Sequence, residues 1–78
     1  MTREVLRAFV LATLGAVAPG ADVDVEVEGR ESGEWSVHFT ARVDGGVKEG
    51  RLGFDPHGDS AFDLARSAAD VVVSKARA

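Results

Sequence analysis

Seventy-eight residues, a net charge of -4, nine basic side chains and no cysteine bound the answer before any motif is read. The length allows one small domain, residues 1–78, with a single core. The missing cysteines exclude disulfide staples and thiolate metal sites, and the acidic balance argues against non-specific attraction to nucleic acid or to an anionic membrane.

Thr2 stands where an N-cap would open a helix running to about Val17. Leu6, Phe9, Val10, Thr13, Leu14 and Val17 recur at helical spacing and form its apolar stripe, while Val5, Ala8, Leu11 and Ala12 extend the apolar surface beyond it. Arg3 and Arg7 ahead of the run Ala8–Leu14, with Ala16-Val17-Ala18 behind it, share features with a secretory signal and its cleavage site. Glu4 in the basic head and Pro19 after the cut favour an ordinary amphipathic helix instead. No run approaches the ~20 apolar residues that span a bilayer, and the expected location is the cytoplasm, whose reducing conditions a cysteine-free chain tolerates.

From Asp22 the period changes to two. Val23, Val25 and Val27 alternate with Asp24, Glu26 and Glu28, which predicts a half-buried strand with an acidic outer face. A polar turn, Gly29 to Glu34, leads to a second strand in which Trp35, Val37, Phe39, Ala41 and Val43 alternate with polar residues. Asp44-Gly45-Gly46-Val47 then signals a tight hairpin. With Gly45-Gly46 as the loop, Arg42 would face Glu49, Phe39 would face Leu52 and Val37 would face Phe54. The chain closes on a second helix, in which Phe62, Ala65, Ala69, Val72 and Ala76 form one stripe with Leu64, Ala68 and Val71 beside it, and Lys75 and Arg77 complement the dipole at its end. The order α-β-β-β-α predicts an α+β two-layer sandwich, a three-stranded antiparallel sheet with both helices on one face.

Asp55, His57, Asp59 and Asp63 crowd the junction before the last helix. Pro56 and Gly58 end the strand, Asp59 or Ser60 is a good N-cap, and Ser60 to Asp63 approximates a capping box. As metal ligands the same residues lack a fixed spacing on one element and are too few. On the outer sheet face, a pairing of Val25 with Val37 would set Asp24 opposite His38 with Ser36 and Thr40 nearby, the parts of an acyl-transfer triad. A flat sheet offers neither an oxyanion site nor a water-excluding pocket. The chain also has no Walker loop, CxxC or HExxH. We therefore expect no enzyme, no catalytic residue, no metal and no cofactor.

Gly58 and Ser60 ahead of Ala68, Ala69, Val72 and Val73, in a chain of this length and element order, resemble the double-stranded RNA-binding domain. The resemblance implies the α-β-β-β-α sandwich and, in that family, contact between duplex phosphates and three lysines at the start of the last helix. Those lysine positions hold Ala61, Phe62 and Ala65 here, among Asp55, Asp59 and Asp63, and the Gly29–Glu34 loop lacks the family's Gly-Pro-x-His motif. The alternative function it leaves is a diverged module with weak or lost RNA binding, relying on Arg3, Arg7, Arg30 or Lys48.

The expected function is a non-enzymatic protein–protein interaction module that binds a protein partner or a second copy of itself, with neither nucleic acid nor membrane as partner. The candidate contacts are Trp35, His38, Arg42 and Arg51 on the sheet side and Val5, Leu11 and Ala12 on the first helix; Trp35, the single tryptophan, reads first as a core anchor at the sheet edge and second as a partly exposed contact.

Overall fold

The computed structural model describes residues 1–30, 32–43 and 45–77, with side chains as far as residue 73. The elements follow the expected order: α1 (Arg3–Val17), β1 (Asp22–Glu28), β2 (Trp35–Val43), β3 (Gly46–Phe54) and α2 (Ala61–Arg77). The strands form one antiparallel sheet in the order β1-β2-β3. One face is covered by both helices, with α1 against β1, α2 against β3, and the helices against each other. Among the described residues no helix is long and apolar enough to cross a membrane.

Thr2 opens α1 from an extended backbone, and its Oγ1 accepts the Val5 N–H at 3.2 Å, satisfying one of the orphan donors of a helix start. Only Leu6, Val10 and Leu14, a single row of i, i+4 neighbours, are fully buried. The six-residue stripe read from the sequence is therefore too wide. Phe9 and Val17 remain partly exposed because α1 packs chiefly on β1 and the alanine-rich α2, whose short side chains cover little of it.

In α2 the buried positions are Leu64, Ala65, Ala68, Ala69 and Val72, so the buried stripe turns away from Phe62, which is 66% exposed. The β-branched run Val71–Val73 is helical. The alanines let α2 approach α1 closely, with little side-chain entropy lost on burial. The dipole complement expected of Lys75 and Arg77 lies outside the described side chains.

The sheet keeps every residue on its expected face but shifts both registers by two. Phe39 faces Gly50, Val37 faces Leu52 and Trp35 faces Phe54. A Cβ built on Gly50 would lie 2.5 Å from Cζ of Phe39, so the buried Phe39 ring occupies space that only a glycine leaves open. That packing, together with the Trp35–Phe54 ring contact at 5.9 Å, selects the observed register over the expected one. Val43 pairs with Gly46, so the ladder closes earlier than the expected Gly45-Gly46 loop would allow. Gly46 belongs to the strand, and Gly45 supplies a φ of 94° that other residues adopt only with strain. Residue 44 of the expected turn lies outside the described residues.

The shift also rewrites the expected polar pairs. Arg42 faces Val47 instead of Glu49, and its Nη1 lies 3.5 Å from Asp22 across the first pair of strands. Val25 pairs with Phe39, so His38 faces Glu26 and Asp24 faces Thr40. The expected Asp24–His38 juxtaposition does not form.

Candidate interaction surfaces

The junction from Asp55 to Asp63 is held by its own polar groups. Asp59 Oδ2 accepts the Asp55 N–H at 2.9 Å, and Asp55 Oδ1 accepts the His57 N–H at 2.9 Å. Ser60 is the cap of α2: its Oγ accepts the Asp63 N–H at 3.4 Å and its carbonyl accepts the Leu64 N–H at 3.1 Å. The two candidate caps thus divide the work, Asp59 closing the turn and Ser60 opening the helix. Among the described residues no three histidine, aspartate or glutamate side chains gather as metal ligands.

The seven candidate contacts do not form one patch. Trp35 is 3% exposed; it stacks on Phe54 and donates its indole N–H to the Arg30 carbonyl at 2.9 Å. It stands as a core anchor at the end of β2, with its ring packed on Phe54 and its polar atom bonded. His38, Arg42 and Arg51 do share the outer sheet face. His38 Nε2 lies 3.7 Å from Glu49, and Arg42 is engaged with Asp22. On α1, Val5 and Ala12 are exposed, whereas Leu11 is half-buried against the core on the opposite flank.

Two aromatics that the sequence reading had placed on buried stripes stand at the surface. Phe9 is 38% and Phe62 66% exposed. With Thr13 and Val17 of α1 and Ala65, Arg66 and Ala69 of α2 they line a groove of about 230 Å³ between the helices. Its walls are apolar apart from Arg66 and the Thr13 hydroxyl, and that hydroxyl donates back to the Phe9 carbonyl at 2.9 Å. Val5 lies one turn before Phe9 on the same row and is 53% exposed. The signal for this surface was the excess width of the α1 stripe, which exceeded what one sheet face could cover. For Phe62 the signal was its place in the first turn of α2, two residues after the Ser60 cap.

A wider depression of about 530 Å³ lies between the start of α1 and the junction, lined by residues that include Arg3, Glu4, Pro56 and His57. Arg3 is engaged there, donating to the Gly29 carbonyl. Arg7 likewise donates to the Val25 carbonyl at 2.8 Å. The two cations of α1 therefore tie the helix to β1 and the residue that follows it. Comparison with protein-family models, with curated proteins and with solved structures finds no match to this chain.

Proposed function

We propose that the protein is a small protein–protein interaction module, and that the groove between α1 and α2 is its binding face. The observation that carries this reading is the pair Phe9 and Phe62, two aromatic rings held partly in water on either side of an apolar groove. Exposed apolar surface gathered in one place is the usual mark of a contact site, and aromatic anchors carry a large share of binding energy at such sites. A partner presenting an aliphatic or aromatic side chain would fill the groove and cover both rings, with Arg66 at its edge for a carboxylate or carbonyl.

Affinity capture from the native extract with and without nuclease tests this, using the wild-type chain beside Phe62→Asp and Arg42→Ala. A stoichiometric, nuclease-resistant protein that Arg42→Ala retains and Phe62→Asp loses supports the groove. Retention of that protein by Phe62→Asp overturns it. RNA-dominated, nuclease-sensitive capture that weakens steeply with salt would favour the diverged RNA-binding alternative. Against that alternative stands the commitment of Arg3 and Arg7 to backbone carbonyls. Lys48 sits half-buried on the helix-covered side of the sheet, opposite Ala41.

A further inference from the structure

The two edges of the sheet are treated differently. At β1, the Val25 N–H is taken by Asp24 Oδ1 at 3.0 Å and the Val25 carbonyl by Arg7 Nε at 2.8 Å. Arg3 takes the carbonyl of Gly29 just beyond the strand. Such side-chain cover is how an edge strand is kept from pairing with another chain.

The same bonds fix which backbone groups of β3 point outward. In an antiparallel ladder successive residues turn their N–H and C=O to alternate sides. Val25 turns away from β2, so Asp24 and Glu26 bond toward Thr40 and His38, their register partners. Phe39 and its alternates Val37 and Ala41 therefore turn toward Gly50, Leu52 and Lys48 of β3. That leaves the backbone groups of Val47, Glu49, Arg51 and Gly53 directed out of the sheet edge. Among the described residues no side chain hydrogen-bonds the backbone of Val47, Arg51 or Gly53, whereas on β1 the cover falls at Val25, the middle of the strand, and at Gly29 beyond its end.

We propose that β3 is a self-association edge, pairing antiparallel with β3 of a second copy about a two-fold axis at Gly50, with Glu49 of each copy opposite Arg51 of the other. Charge selects this occupant and this register. A two-fold pair must bring outward-facing residues opposite one another, which allows axes at Glu49, Gly50 or Arg51 near the middle of the strand. An axis at Glu49 sets two glutamates face to face, and an axis at Arg51 sets two arginines face to face; like charges directly opposite are destabilising. The axis at Gly50 instead makes two Glu–Arg pairs on the outer face. An isologous contact of this kind closes on itself, giving a six-stranded sheet with all four helices on one face. It uses neither Phe9 nor Phe62 and stands independently of the helical groove.

Analytical ultracentrifugation of the full chain over a wide concentration range tests the proposal, using wild type, Glu49→Arg, Arg51→Glu, the double variant and an equimolar mixture of the two single variants. The wild type should dimerise, and each single variant should dimerise about tenfold more weakly because both cross-strand pairs become like-charged. The double variant should recover wild-type affinity. The mixture should form heterodimers, since one copy then presents two arginines to two glutamates of the other. Both residues are exposed, their side chains directed off the core, and far-UV circular dichroism checks that each variant is folded. If a variant fails to fold, amide exchange of the wild type decides alone: protection at Val47, Arg51 and Gly53 must rise with protein concentration. A wild type that stays monomeric, single variants that dimerise as well as the wild type, or concentration-independent exchange at those amides overturns the proposal.

Discussion

Gly15 and Gly50 show how the same substitution can carry opposite signs in one chain. Gly15 is exposed within α1, and a Cβ placed on it meets nothing within 4 Å. Gly15→Ala should raise stability by up to about 1 kcal/mol, through the helix preference of alanine and the reduced freedom of the unfolded chain. Gly50→Ala would drive a methyl group into the Phe39 ring, 2.5 Å from Cζ, and that ring is fully enclosed. Overpacking of this kind costs about 1–3 kcal/mol, a fall in Tm of several degrees for each kcal/mol at this size. Thermal unfolding of the two variants beside the wild type reads both signs, and a stabilising Gly50→Ala would contradict the observed register. The cost of Gly15 is legible in the sequence because helix propensity is local. The role of Gly50 is not, because it depends on which residue of β2 lies opposite.

At the scale of elements, what the sequence encodes is period, and what it leaves open is register and the aim of a stripe. The alternations in Val23–Val27 and Trp35–Val43 place each residue on its proper face, and the two-residue shift preserves those faces while exchanging every partner. Hairpin chemistry alone could not settle the shift, because Gly45-Gly46 and residues 44–45 are both plausible loops. The decision comes from fitting the Phe39 ring over Gly50 and Trp35 against Phe54. The junction before α2 was readable as capping, since side-chain-to-backbone bonds span only a few residues. Its division between Asp59 and Ser60 gives a prediction. Ser60→Ala should lower stability by about 0.5–1 kcal/mol, toward the lower part of the range for lost caps because the bond to the Asp63 N–H is long at 3.4 Å. Ser60→Asp should leave stability near wild type, because aspartate caps equally well and suits the helix dipole. Urea denaturation separates them, and equal losses in both variants would move the cap elsewhere.

For the whole molecule, the division of apolar surface between core and exterior is the property that ties stability to function. Two helices cover one face of a three-stranded sheet, and once Leu6, Val10, Leu14, Leu64 and the α2 alanines are buried, α1 and the first turn of α2 still hold apolar side chains that the described residues cover only in part. The sequence showed that excess as a wide stripe. It could not say which residues would be left outside, since that depends on how far each helix rolls toward its neighbours. If the exposed aromatics serve a partner, removing them should scarcely alter the isolated fold. Phe62→Ser should change unfolding free energy by no more than about 0.5 kcal/mol, as surface substitutions do, because the ring is 66% exposed. Phe54→Ala, which empties a site only 2% exposed beside Trp35, should cost about 3–5 kcal/mol. Against the roughly 5–15 kcal/mol that holds a typical domain together, the second change threatens folding and the first does not. Denaturant titration of the two variants with matched slopes measures the contrast directly. A Phe62→Ser variant as damaged as Phe54→Ala would mean that the groove is part of the protein's own core. A near-neutral one would show that the fold does not depend on the Phe62 ring, which the groove then holds at the surface at no cost to stability.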